Sequence, residues 1–125
     1  MCIAKFIIKI ANIFIVPYIN ITIIPTGPIQ GAKVGSPQDI QCIVSTVSGV
    51  ELSSVMVDWM GPAGESITAS SRVTISPTSY SDKNYTSSLQ IASLMEEDEG
   101  VYTCNAMILE TSVKDSVEID KLTGK

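Results

Sequence analysis

The run "DEGVYTC", Asp98 to Cys104, sets Asp98, Gly100, Tyr102 and Cys104 at strict two-residue intervals. A period of two is that of a β-strand, whose alternate side chains share one face. One reading is a strand that turns a phenol and a sulfur toward a common core. The other is chemical, a cysteine nucleophile served by a neighbouring acid and phenol. Such a thiol needs a base or a cationic neighbour to lower its pKa, and the chain has no histidine. The structural reading, a buried cysteine on a strand, is the stronger of the two.

Length and composition narrow the function classes. A chain of 125 residues holds one domain with at most a short appendage. Apolar residues at 45% and charged residues at 17% suffice for a packed core. A formal charge of −5 argues against nucleic acid, whose phosphates would be repelled. Without histidine the chain lacks the usual general base and the commonest zinc ligand. The acidic cluster Glu96, Glu97, Asp98, Glu99 has no intervening glycine turn of the calcium-loop kind, and it reads as a solvated face. No paired acid and base is visible. The expectations are therefore no enzyme, no metal or other cofactor and no small-molecule substrate.

The first nineteen residues differ from the rest. Lys5 and Lys9 precede an apolar run from Ile10 to Val16, the pattern of a secretory signal peptide. Asn12, Pro17 and Asn20 interrupt the run before the roughly 20 residues of a membrane span. We expect residues 1–19 to be a signal peptide or N-terminal hydrophobic leader, 20–122 a domain and 123–125 a tail. An uncleaved anchor is the alternative, since no A-x-A-like cleavage site stands near Pro17 to Ile24. Removing the leader takes Cys2 and leaves Cys42 and Cys104, an even number suited to a secreted protein. It also leaves six basic against thirteen acidic residues, a net charge of −7.

From Asn20 onward, short alternating or β-branched runs stand between turn signals, which predicts an all-β fold. The runs are "INITII", "DIQCIVSTV", "SVMVDWM", "SITAS", "SRVTISPTS", "YTSSLQIASL", "GVYTCNAMIL" and "SVKDSVEIDKL". With turns every eight to twelve residues, this is a sandwich or barrel of eight or nine strands. "LMEEDEG" is expected to make only a short helical turn. If Cys42 faces inward, so do Ile40 and Val44. If Trp59 faces inward, so do Val55 and Val57, leaving Met56, Asp58 and Met60 outside. Val73 and Ile75 share a side, as do Leu89 and Ile91, and Tyr102, Cys104 and Ala106 face in together.

Cys42, Trp59, Arg72, Leu89 and the run Asp98, Gly100, Tyr102, Cys104, taken in this order, resemble the immunoglobulin superfamily. The resemblance covers about Asn20 to Leu122. It implies a Greek-key β-sandwich of two antiparallel sheets, of variable or intermediate type. It implies that Cys42 and Cys104 form the bridge between the sheets, with Trp59 packed against it. Tyr102 would be the corner tyrosine whose hydroxyl bonds back to the upstream backbone, and Arg72 would pair with Asp98. Two departures stand out. The gap from Cys42 to Trp59 is long, implying an extended loop over Thr46–Ser54, and the last strand lacks a G-x-G bulge, which puts antibody-like pairing in doubt.

What remains concerns the surface. Two N-x-S/T sequons, at Asn20 and Asn84, are candidate glycosylation sites, with Asn84 favoured because a turn precedes it. Met56, Met60 and Met107 would share the solvent face of one sheet, where adaptable side chains suit an interface. The resemblance then implies a non-catalytic extracellular domain for protein recognition or adhesion, secreted or on the outer part of a cell-surface receptor. It would present that face and the loops Thr46–Ser54 and Leu109–Val113 to a protein partner. A membrane would enter only through an anchor further downstream. The alternative is a structural spacer that touches only neighbouring immunoglobulin domains.

Overall fold

The computed structural model describes residues 19–46, 55–80, 84–108 and 111–124. The leader through residue 18 and the loop residues 47–54 and 109–110 lie outside that set. Among the described residues eight strands form: β1 (Ile19–Ile24), β2 (Ile29–Gln30), β3 (Gln38–Thr46), β4 (Met56–Met60), β5 (Val73–Tyr80), β6 (Asn84–Ile91), β7 (Gly100–Ile108) and β8 (Thr111–Asp120). They build two four-stranded sheets, ordered β1-β3-β6-β5 and β2-β8-β7-β4. A helical turn, Glu96–Asp98, falls where "LMEEDEG" predicted it.

Each sheet buries the face that the alternation predicts. Ile40, Cys42 and Val44 of β3, Leu89 and Ile91 of β6, and Tyr102, Cys104 and Ala106 of β7 are all buried. Trp59 is buried too, and Val55, Val57, Val73 and Ile75 pack partly buried against the same core. A one-residue slip in any of these strands would turn its apolar set to water, so the register is strongly held.

Three features depart from the strand-by-strand reading. The pairing of β2 with β8 is parallel, Ile29 opposite Ile119. After β1 pairs antiparallel with β3, the chain crosses to the second sheet through "PTGP" and keeps its direction beside β8. "SITAS" makes no strand, only a bridge between Met60 and Ser66, because four of its five residues are exposed and Ile67 alone reaches the core. The ordered domain is also wider than 20–122. Ile19 opens β1 with its side chain in the core, and Thr123 donates its N–H to the carbonyl of Ala32 at 2.8 Å.

Several local details shape the strand borders. In β5 the register shifts between Pro77 and Ser79, since proline has no N–H for the ladder. On β8 the inward positions are Val113, Asp115, Val117 and Ile119. Asp115 reaches across to β1, where its Oδ2 accepts the N–H of Ile23 at 3.2 Å.

Cys42 and Cys104 are disulfide-bonded, their Cα atoms 6.4 Å apart. Trp59 sits opposite Cys104 on β4, and its Nε1–H donates to Ser87 Oγ at 3.0 Å. Ser87 in turn sits opposite Cys42 on β6. A covalent bond and a hydrogen bond thus span the core side by side, joining the same two strand pairs.

The bridge closes a loop of 62 residues, which corresponds to about 3–4 kcal/mol from restricting the unfolded chain. Changing both Cys42 and Cys104 to alanine should lower the melting temperature by more than about 10 °C in thermal unfolding by circular dichroism. Ser87→Ala should leave the Trp59 N–H unsatisfied and destabilise by about 1–3 kcal/mol in denaturant titration.

Candidate functional site

Two regions gather the residues that the sequence singled out. One is the corner before β7, built around Asp98. Its side chain is only 7% exposed, yet it carries a carboxylate, so its partners decide whether it is tolerable there. Arg72, at the entry to β5, donates Nη1 to Asp98 Oδ2 at 2.8 Å and Nη2 to Oδ1 at 3.1 Å. This two-point pairing is the strong form of the arginine–carboxylate contact. Oδ2 also accepts the N–H of Met95 at 2.8 Å, closing the turn from Glu96 to Asp98. Arg72 Nη1 donates as well to the carbonyl of Ser93 at 3.0 Å. One ion pair therefore ties β5, the helical turn and the segment after β6 together.

Tyr102 completes the corner by donating its hydroxyl to the Asp98 carbonyl at 2.7 Å. Burial pushes the phenol up to about 12, and the Asp98 charge adds to the shift. The hydrogen bond to Asp98 raises the Arg72 guanidinium above its ordinary value, against the opposing effect of desolvation. Gly100 has φ of +140°, and a Cβ there would overlap Pro62 of the turn after β4. Both facts demand glycine at this position. Of the acidic cluster, Glu96 and Glu97 are exposed, Asp98 is enclosed, and Glu99 Oε2 accepts the N–H of Leu122 at 2.9 Å. Among the described residues no group of three or more acids or cysteines is placed to hold a metal ion. The corner braces the frame.

The second region is the outer face of the β2-β8-β7-β4 sheet. Met56 of β4 and Met107 of β7 are direct cross-strand partners, 66% and 39% exposed. Val101, further along β7, is 46% exposed. Met60 shares the outward parity of Met56 but is only half-exposed, at the point where Ser66 bridges back to it. Asp58 lies between the two methionines and accepts the Ser66 hydroxyl at 2.8 Å. The loops expected to flank this face lie mostly outside the described residues. Of Leu109–Val113, residues 111–113 belong to β8.

Asn20 and Asn84 are exposed and stand on the other sheet, in β1 and β6. Ser87 and Asp115 went unnoticed in the sequence. A serine beside another serine and an acid within "SVKDSVEID" carry no local signal for partners 28 and 92 residues away.

The family model described as "Immunoglobulin I-set domain" matches residues 23–120. No curated protein matches the chain by sequence. Among solved structures, titin M4 superposes with a TM-score of 0.60 at 18% identity, covering 84% of this chain and 94% of that one. A titin M10 complex with obscurin-like 1 Ig superposes at 0.60 and 16% identity, covering 85% and 93%. A complex of Dpr2 Ig1-Ig2 with DIP-Theta Ig1-Ig3 reaches 0.65 at 17% identity, covering 86% of this chain and 34% of that one. At these identities the likeness is one of fold.

The raised Tyr102 pKa gives a pH prediction. A folded value near 12 against an ordinary 10.0 means that the neutral phenol is favoured in the folded state. That contribution is complete below pH 10 and is lost as pH rises through about 12. Stability measured by denaturant titration should fall over that window, and Tyr102→Phe should flatten the fall. Separately, Asp98→Ala should destabilise the domain by about 2–3 kcal/mol, since Arg72 and the Met95 N–H lose their acceptor.

Proposed function

The chain belongs to the immunoglobulin I-set family, and from that membership we propose that it is a non-catalytic protein-recognition domain working outside the cell, in a secreted or cell-surface protein. The observation that carries this reading is the Met56–Met107 pair, two large flexible apolar side chains standing together in solvent. An isolated exposed apolar residue needs no explanation, but a contiguous group on a sheet face favours a contact surface. Methionine suits a surface that adapts to its partner. Val101 adds a separate exposed apolar residue toward the other end of the same face, beyond Asn105 and Thr103.

Two further facts support the reading. A disulfide is at home in an oxidising compartment, which agrees with a secretory leader at the N-terminus, ending before Ile19 of β1. Two of the similar structures are complexes between immunoglobulin-type proteins, so the partner class we favour is another such domain. The corner residues Arg72, Asp98 and Tyr102 have their polar groups turned on one another, which fits a scaffold without a reaction of its own.

The test uses the secreted chain displayed as a multimer against a panel of recombinant immunoglobulin-domain ectodomains. The double variant Met56→Lys with Met107→Lys should lose at least about tenfold in affinity for the partner found. Its unfolding free energy should stay within about 0.5 kcal/mol of the parent, as for other surface changes. Undiminished binding by the double variant would remove this face as the contact surface, and a panel with no partner would leave the domain a spacer.

A further inference from the structure

The two N-x-T sequons, 64 positions apart in the chain, lie in register on one face of the β1-β3-β6-β5 sheet. Asn20 of β1 and Asn84 of β6 are both partnered by Ser45 of β3, one from each side. One step along, Thr22 and Thr86 are both partnered by Ile43. Because β1 and β6 each run antiparallel to β3, they run parallel to one another, and the two sequons point the same way. Asn20, Thr22 and Asn84 are exposed, and Thr86 is half-exposed. The residues between them, Ile21 and Tyr85, face the core instead. Two strand spacings put the asparagine Cα atoms about 10 Å apart.

The rest of this face has an unusual makeup. Its outward positions on β1, β3 and β6 are Asn, Thr, Ser and Gln, with Ile24 and Ile43 as apolar members. Asp39 is the one ionisable side chain among the described outward residues of these three strands. The opposite sheet instead turns Asp58, Lys114, Glu118 and Asp120 outward beside its methionines. A sheet face of several strands almost without charge is poorly protected against association. Hydrated carbohydrate standing over Ile43 and its neighbours would supply that protection.

We propose that Asn20 and Asn84 carry a side-by-side pair of N-linked glycans that together cover the outer face of β1, β3 and β6. This rests on the extracellular reading above and deepens it, because a covered face leaves the Met56–Met107 face as the open one. The co-substrate is an oligosaccharide linked to a polyprenyl diphosphate. In each transfer the asparagine Nδ2 forms a bond to the anomeric carbon of the first sugar. The bond from that carbon to the phosphate oxygen breaks, the lipid diphosphate leaves, and one amide proton is given up to base. In an extended chain the asparagine and the threonine two residues on share a side, so both sequons present the paired groups that such a transfer needs.

The experiment expresses the full chain from its own N-terminus in cultured animal cells and weighs it before and after peptide-N-glycosidase treatment. The medium should contain a protein with two glycans, and Asn20→Gln and Asn84→Gln should each remove one. A second readout uses Ser45→Lys, whose new amine lies between the two sites. Its reaction with an amine-selective reagent should be several-fold slower before deglycosylation than after, while Lys114 on the opposite face reacts at one rate throughout. Secreted protein with Asn20 or Asn84 bare overturns the pair alone, and two glycans without protection at position 45 overturn the covering. A chain that stays in the cytosol without sugar overturns the extracellular reading and the proposal with it.

Discussion

Two β-sheets packed face to face have no backbone hydrogen bonds between them, so something else must hold their relative position. Here that something is concentrated in one layer of the core. The Cys42–Cys104 bond joins β3 to β7, and the Trp59–Ser87 hydrogen bond joins β4 to β6 right beside it. The four residues form two cross-strand pairs, one per sheet, so each tie restrains the other. The indole is the largest fully buried side chain among the described residues, and its single polar group is satisfied by a neutral hydroxyl. Elsewhere the sheets rely mainly on packing, Ile40 with Leu89 on one side and Ala106 with Ile108 on the other, helped by Asp115 of β8 holding the Ile23 N–H of β1.

The Asp98 corner acts one level out from this layer. It joins the end where β5 and β6 pair, Val73 opposite Ile91, to the helical turn and the start of β7, which belongs to the other sheet. Its position beside Pro62 couples it also to the turn leaving β4. Division of labour follows from this geometry. The residues most diagnostic in the sequence serve the frame, and the exposed chemistry lies on the sheet faces, methionine on one and hydroxyl and amide groups on the other.

Much of the frame was legible because its signals are periodic and chemically distinct. Cys42, Trp59, Tyr102 and Cys104 each stand in an alternation that only one register satisfies, and their family resemblance supplied the Arg72–Asp98 pairing. "SITAS" misled because a β-branched pair such as Ile67 and Thr68 marks a strand only where a neighbour is present to pair with. After β4 the chain turns back for a single bridge and then leaves. The parallel course of β2 depends on a crossing between sheets, which local pattern does not encode. Ser87 is indistinguishable from Ser88 by type; only the partner across the core separates them. The alignment of Asn20 with Asn84 is likewise a property of strand order rather than of either sequon.

An inward-pointing acid such as Asp115 looks like a flaw in an apolar strand face, yet its carboxylate occupies the Ile23 N–H on the outer border of β1. A border strand with unpaired N–H groups is a template on which a foreign strand can grow. The other borders are blunted by different means: β2 is two residues long, β5 carries Pro77 and a register shift, and Ser66 bridges the end of β4. Strand addition and fibrillar stacking are thereby discouraged on all four sides. A partner that docks must do so against a face or a loop, and many copies can coexist at high local density without zipping together.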